Sequence, residues 1–470
     1  MNNDNRRQPD MTTTSDTIAA LATGGNGAIA CIRVSGAEAL NIVAQIFSVN
    51  RGKNLDETAA GTMRLGKICD GNNLIDEVFA VRFQSPHSYT GEDMVEITCH
   101  ASPYIIEKTL SLLIRHGCRL AQAGEFTQRA FLNGKMDLSQ AEAVADLIAA
   151  SSAAEHKVAI SQMRGAFGKE LQKIRAQLLD FVSMIELELD FAEEDVEFAN
   201  RNELAALAAN IEIYISKLCK SFEVGNVIKK GVPVAIAGET NVGKSTLLNI
   251  LLNEERAIVS DMHGTTRDAI EDAVNIDGIV FRFIDTAGIR ATDDKIENIG
   301  IERTYSKIEQ AAIVLWIVDA SLPVKNAANM FDEMHRRCKN KKLIIVYNKT
   351  DKVKTVETLD IIKHPNIQQI FISAKEKINL EQLQNMLIQT AQIPETSFNQ
   401  TLVTNMRHFE ALQNAHSAIN RVQTALQQNI SHDLLAQDIR ECIYHIGLIT
   451  GEITSNEILG NIFSRFCIGK

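Results

Sequence analysis

The stretch Gly238-Glu239-Thr240-Asn241-Val242-Gly243-Lys244-Ser245 decides how this chain is read. It has the form GxxxxGKS. The apolar run Val232 to Ala237 precedes it, and Thr246, Leu247 and Leu248 follow. A strand, a glycine-bounded loop and a helix opening form the context that a phosphate-binding loop requires. Gly238 and Gly243 let the backbone curl so that its N–H groups face phosphate oxygens. Lys244 supplies a cation for the β- and γ-phosphates, and Ser245 supplies a hydroxyl for Mg²⁺. The helix N-terminus behind the loop adds partial positive charge.

Further polar motifs follow apolar strands. Asn348-Lys349-Thr350-Asp351 comes after Leu343 to Tyr347. The Asp351 carboxylate can accept from the ring N1–H and exocyclic amine of guanine. Adenine lacks that donor pair and would leave the acid unpaired. Asn348 is expected to hold the loop and the base. Ser373-Ala374-Lys375 follows Ile370 to Ile372 and suits a backbone N–H near the guanine oxygen. Asp285-Thr286-Ala287-Gly288 ends the run Ile279 to Ile284. There Asp285 would support the Mg²⁺ shell, and Gly288 would offer its N–H to the γ-phosphate. A Thr in Gly264-Thr265-Thr266-Arg267-Asp268, taken as Thr266, would close the Mg²⁺ shell with Ser245. Singly, each motif is an ordinary polar turn. In this order, each after a strand, they point to GTP binding and hydrolysis.

A length of 470 residues suggests roughly three domains at ~150 residues each. No apolar run approaches the ~20 residues that span a bilayer, so no membrane role is expected. Met1 to Ser15 is polar and reads as a disordered leader (residues 1–14) rather than a secretory signal. Eight cysteines without CxxC spacing fit reduced thiols in a cytoplasmic protein. A net charge of −11 argues against a general nucleic-acid binder, and no DNA role is expected. Arg407, Arg421 and the pair Lys229-Lys230 are weak candidates for local RNA contact.

Prolines mark the organisation: none lies between Tyr104 and Val232, and none after Pro394. Helical faces run through Ile174, Leu178, Phe181 and Ile185, and through Leu435, Ile439, Cys442 and Ile446. Asp137 with Gln140, and Thr454 with Glu457, read as capped helix starts. Ala28 to Val34, Glu77 to Phe83 and Met94 to Thr98 read as strands. The expected fold is multidomain α/β. An N-terminal α+β domain (15–134) leads into helical segments (135–226 and 395–470) that flank an inserted, doubly wound P-loop GTPase domain (227–394).

Three segments carry a family resemblance: Gly124-Glu125-Phe126-Thr127 with Arg129-Ala130-Phe131-Leu132-Asn133, the motif Gly264 to Asp268, and the terminus Phe466-Cys467-Ile468-Gly469-Lys470. With the GTPase motifs, they make the chain resemble the MnmE (TrmE) family, GTPases that help modify the wobble uridine of certain tRNAs. The resemblance implies an N-terminal domain that binds folate and dimerises the protein. Arg33, Glu96, Lys135 and Lys470 would contact a tetrahydrofolate derivative, in its 5,10-methylene or 5-formyl form. It also implies activation by K⁺ ligated through Asn241, Ser260, Met262 and Thr265. The nucleotide site would then run through Asn241, Val242, Gly243, Lys244, Ser245 and Thr246. It would continue through Ser260, Asp261, Met262, His263, Gly264, Thr265 and Thr266, then Asp285, Thr286, Ala287 and Gly288. Asn348, Lys349, Asp351, Ser373, Ala374 and Lys375 would complete it.

Many GTPases place a water-orienting Gln just after DTAG, where this chain has Ile289. The resemblance implies Glu297 as the catalytic acid instead. It further implies a homodimer, tRNA as substrate, and a flavoprotein partner resembling MnmG. That partner would carry FAD and form a heterotetramer or larger assembly. Departures from the family pattern are Glu239 and Thr240 in the phosphate loop, and His100-Ala101-Ser102 where His-Gly-Gly is usual. Two rival readings are a ribosome-assembly GTPase of the Era or Der type, and a folate-binding scaffold whose G domain regulates assembly.

Overall fold

The computed structural model describes residues 16–24, 27–190, 200–254, 272–284, 308–339, 341–359, 367–391, 401–428, 431–464 and 466–470. Its strands are β1 Ile18–Leu21, β2 Ile29–Ser35, β3 Phe47–Val49, β4 Met63–Asp70, β5 Asn73–Phe83, β6 Met94–His100, β7 Arg119–Leu120, β8 Val232–Ala237, β9 Asp272–Ile276, β10 Ile279–Phe283, β11 Ile313–Asp319, β12 Lys342–Asn348 and β13 Ile367–Phe371. Its helices are α1 Ala39–Ile46, α2 Pro103–Arg115, α3 Glu125–Leu132, α4 Leu138–Ala149, α5 Ala153–Met163, α6 Ala166–Asp190, α7 Arg201–Lys230, α8 Lys244–Glu254, α9 Val324–Arg337, α10 Leu380–Ala391, α11 Met406–Gln428, α12 His432–Thr450 and α13 Asn456–Phe463.

The chain divides into two compact units. One contains the chain up to Ala145, Met163–Leu179 and Ile443–Lys470; the other contains Asp146–Gln162 and Asp180–Cys442.

The first unit is built on a seven-stranded sheet in the order β3-β4-β5-β6-β2-β1-β7. Period-2 alternation sends Ala30, Ile32 and Val34 of β2 to one face, with Val78, Ala80, Val95 and Ile97. Helices α1 and α2 cover that face through Ile42, Val43, Leu112 and Leu113. The intervening residues Cys31 and Arg33 therefore stand on the opposite face. Leu65 pairs with Phe79 and Phe79 with Thr98, in register with Cys31, so these residues share that second face.

The start of α4 is a reciprocal cap. Gln140 N–H donates to Asp137 Oδ1 at 2.8 Å, and Asp137 N–H donates to Gln140 Oε1 at 3.0 Å. The second expected cap falls one residue later than read. Ser455, rather than Thr454, accepts the Ile458 N–H at the start of α13. On α6 the inner face is Ile174, Leu178, Val182 and Ile185, with Phe181 only half-buried. The step from 178 to 182 keeps the helical stripe, and the flat ring of Phe181 lies at its margin.

In the second unit, α7 and α11 pack along their lengths. Phe222 stacks on Phe409 with ring centroids 4.2 Å apart. Leu412, Ala415, Ile419 and Val422 are buried along α11. A six-stranded sheet follows the order β13-β12-β11-β8-β10-β9. Every pairing in it is parallel except the edge pair β9–β10. Its central strands are apolar on both faces, as a sheet covered on two sides requires. The expected runs Val232–Ala237 and Leu343–Tyr347 lie in β8 and β12; those from Ile279 and Ile370 lie in β10 and β13 except for their last residues, Ile284 and Ile372, and the antiparallel β9 extends the sheet. The architecture is thus an N-terminal α+β layer, long helices and a doubly wound P-loop domain. Among the described residues no helix is long and apolar enough to cross a membrane.

The α4 cap can be tested directly. Asp137→Ala should lower unfolding stability by about 1 kcal/mol, and Asp137→Asn should keep most of it. Chemical denaturation followed by circular dichroism reads both; no loss in the Ala variant would remove the cap from the account.

Candidate functional site

Strand β8 lies where the sheet order reverses. The chain leaves it toward β10 and β9 on one side and toward β11, β12 and β13 on the other. In open α/β sheets the crevice at the carboxyl ends of such strands is the usual ligand site. The loop 238–243 rises from the carboxyl end of β8 and enters α8 at Lys244. Lys244 Nζ donates to the carbonyls of Gly238 at 2.8 Å and Glu239 at 2.5 Å. That folds the lysine back over its own loop. Asn241 takes a left-handed backbone (φ 61), a conformation that Asn tolerates better than most residues.

Asn348 ends β12 and is buried, 3% exposed. Its Nδ2 donates to Val242 O at 2.8 Å, and its Oδ1 accepts the Ala374 N–H at 2.9 Å. One side chain therefore ties the phosphate loop to the loop after β13. The contact demands glycine at 243, because a Cβ there would lie 2.2 Å from Asn348 Nδ2. Asp351 is exposed, and Ser373 Oγ donates to its Oδ1 at 2.5 Å. That hydrogen bond is the main cause holding the Asp351 carboxyl below its ordinary value. An ionised, oriented carboxylate is what a guanine edge needs. Lys349 pairs with Asp319 at 2.6 Å.

The structure thus brings Asn241 to Thr246, Asn348, Lys349, Asp351 and Ser373 to Lys375 to the same ends of the sheet. Ser260, Asp261, Met262, His263, Gly264, Thr265, Thr266, Asp285, Thr286, Ala287, Gly288 and Glu297 lie outside the described residues.

A second polar cluster sits on the open face of the first unit. Arg33 Nε and Nη2 donate to Glu96 Oε1 at 3.0 and 2.8 Å. Its guanidinium lies over the rings of Tyr89 (5.1 Å) and Phe126 (5.5 Å). Arg33 Nη1 also reaches Gly469 O at 3.4 Å, which brings the C-terminal segment to this face. A glycine is required at 469: φ is 91, and a Cβ would lie 2.0 Å from Leu21 O. Lys470 follows directly, its N–H donating to Cys467 O. Lys135 Nζ donates to Pro86 O at 2.8 Å, and its stem packs beside Gly91 in the loop that carries Tyr89.

Of the candidate RNA contacts, Lys229 pairs with Asp146, Arg421 with Asp438 and Glu441, and Arg407 bonds to His408. All eight cysteines are outside disulfides. Burial pushes Cys118 and Cys442 up to about 12, so both stay protonated at neutral pH.

A family model described as the MnmE helical domain matches residues 138–467, and one described as the GTP-binding protein TrmE N-terminus matches residues 17–135. The tRNA modification GTPase MnmE of Bacteroides fragilis is 57% identical over 462 residues, 97% of this chain and 99% of its own length. The chain belongs to the MnmE family of tRNA modification GTPases. The MnmE proteins of Bacteroides thetaiotaomicron (57% identical over 97% of this chain and 99% of its own length) and Flavobacterium johnsoniae (52%, with the same coverages) agree. The solved G domain of the T. maritima FeoB iron transporter aligns with 34% of this chain and 99% of its own, at 27% identity and a TM-score of 0.26. The P-loop fold rests on the sheet order rather than on that alignment.

Membership in the MnmE family makes the chain a GTP hydrolase. Two parts of its sites were not read from sequence. The ring floor under Arg33 comes from Tyr89 and Phe126, which are far apart in sequence. Asp319 carried a faint signal, as the only acid in the apolar run Ile313 to Asp319.

The double role of Asn348 is testable. Asn348→Ala removes two hydrogen bonds between buried groups, and GDP affinity should fall about thirtyfold. Isothermal titration reads this, and native affinity would show that the two loops hold their places without it.

Proposed function

We propose that this chain is a K⁺-activated GTPase that, with a flavoprotein partner, adds an aminomethyl or carboxymethylaminomethyl group to carbon 5 of the tRNA wobble uridine. The observation that carries the nucleotide half is the Asn348 link between the phosphate loop and the loop of Ser373 to Lys375. The domain division in this reading is 15–134, 135–226, 227–394 and 395–470, with the helical segments on either side of the G domain.

At the nucleotide, the N–H groups of the loop 238–245 and Lys244 hold the phosphates, and Asp351 selects guanine. Ser245 sits at the first turn of α8, where a hydroxyl suits a hard cation beside phosphate; with Thr266 it would hold Mg²⁺. Asn241, projecting from a left-handed position in the same loop, offers a neutral amide oxygen of the kind K⁺ accepts. Ser260, Met262 and Thr265 would complete that site. A K⁺ held by these residues would add positive charge beside the phosphates, the role an arginine finger has elsewhere. Glu297 would orient the attacking water, the task that Ile289 cannot perform.

In the N-terminal domain, Arg33 and Glu96 present a cation and an acceptor beside the Tyr89 and Phe126 rings. That donor set fits a flat heterocycle with an anionic tail, and so a tetrahydrofolate derivative, with Lys135 and Lys470 as further cations. Bound folate supplies the one-carbon unit, while the chain's own residues hold and orient it. The same sheet face exposes Ile29, Leu65 and Phe79. An apolar face of this kind beside a polar cluster suits pairing with a second copy. A homodimer would bring two such clusters together, and the FAD-bearing partner would complete the assembly on tRNA.

Steady-state GTP hydrolysis in K⁺ against Na⁺, at matched ionic strength, should differ by roughly tenfold or more. Equal rates would remove K⁺ and Asn241 from the mechanism. Glu297→Ala should leave GTP affinity nearly intact and slow turnover by roughly 10²–10⁴; native turnover would exclude Glu297. Arg33→Ala should abolish folate binding and tRNA modification together. Loss of binding with modification intact would sink the one-carbon role.

A further inference from the structure

Asp319 closes β11 in register with Asn348, the last residue of β12. It lies one strand away from the guanine-reading loop and is 9% exposed. Its Oδ2 accepts Lys349 Nζ at 2.6 Å. Its Oδ1 accepts the Ser321 N–H at 2.9 Å and the Ser321 hydroxyl at 2.6 Å. The Ala320 N–H donates to Asn348 O at 2.9 Å, which joins the two strand ends through the backbone as well. Burial pushes the Asp319 carboxyl up, but hydrogen bonds from Lys349 and Ser321 outweigh it and hold the group below its ordinary value. Asp319 is therefore an anion with a cation fixed on one oxygen and two donors on the other.

Lys349 is constrained at both ends. Its backbone is left-handed, with φ 66 and ψ 34, a conformation costly for a residue with a Cβ. Its ammonium is pinned by Asp319. The methylene stem is thus strung between the ends of β12 and β11. A lysine stem held in this way is an apolar strip. Asp351, two residues on, carries the carboxylate that would read the base.

We propose that Asp319 is a positioning residue for base recognition: by holding the Lys349 ammonium, it lays the lysine stem as a preformed wall of the guanine slot. This rests on the GTPase reading above. Its physical content is preorganisation. A flexible side chain ordered before the base arrives need not be ordered by the base, so affinity rises without a new contact.

The test is a double-mutant cycle in the full chain, with GDP affinity measured by competition against a fluorescent GDP. Asp319→Asn keeps the shape and an acceptor for Ser321 but loses the charge. Lys349→Met keeps an apolar stem but loses the ammonium. Each single variant should weaken GDP about tenfold, and the double variant should be no weaker than either single one. Losses that multiply to about a hundredfold would overturn the proposal, because Asp319 would then act other than through Lys349. Native affinity in Asp319→Asn would overturn it too. If Asp319→Asn fails to fold, Asp319→Ser replaces it in the same cycle: a tenfold loss that disappears in the Lys349→Met background supports the proposal, and native affinity or losses that multiply overturn it. An unsubstituted chain that does not bind GDP would instead remove the GTPase reading beneath it.

Discussion

The amide of Asn348 holds the nucleotide end of the sheet together. It donates to the phosphate loop at Val242 and accepts from Ala374, and both bonds are shielded from water. An asparagine suits the position because it offers a donor and an acceptor on one short, uncharged group. Gly243 must lack a side chain to let the amide approach, and Asn348 must end β12 to reach both loops. The register of β11 against β12 then places Asp319 beside Lys349. A local motif of four residues thus depends on three strands being side by side and parallel.

The N-terminal domain solves a different problem, that of holding charge inside. Arg129, 2% exposed, meets Asp16, Glu92 and Glu125. An unpaired guanidinium at that depth would be very costly, and three carboxylates make it tolerable. Burial pushes the Glu125 carboxyl up, but hydrogen bonds from Arg119, the Gln122 N–H and Arg129 outweigh it and keep it ionised. The network braces the segment that carries Tyr89 and Phe126 and so sets the floor beneath Arg33. The last residues of the chain close the same face, with Ile468 bridging to Ala123.

Among the described residues, the motifs at 238–245, 348–351 and 373–375 are legible because each follows an apolar strand of the parallel sheet. The Asp137–Gln140 cap is legible in the sequence because a capping box is a local device. Thr454 was displaced by Ser455 because either hydroxyl satisfies the local rule, and only the entry angle of the chain selects between them. Strands β1, β3, β4, β7, β9 and β11 are not among those read from the sequence. Short strands such as Phe47–Val49 and Arg119–Leu120 acquire their character from neighbours rather than from periodicity. The cluster at Arg33 was located only through family resemblance. Its parts lie at 33, 89, 96, 126 and 469, and no local pattern joins residues so far apart.

In the proposed function the loop 238–245, the segment 348–351 and the segment 373–375 form one guanine-nucleotide site. Amide hydrogen exchange of the whole chain with GDP, with ADP and without nucleotide would show whether they do. GDP should slow exchange in all three segments together, and ADP should leave them unchanged. Equal protection by ADP, or protection confined to the phosphate loop, would show that they do not.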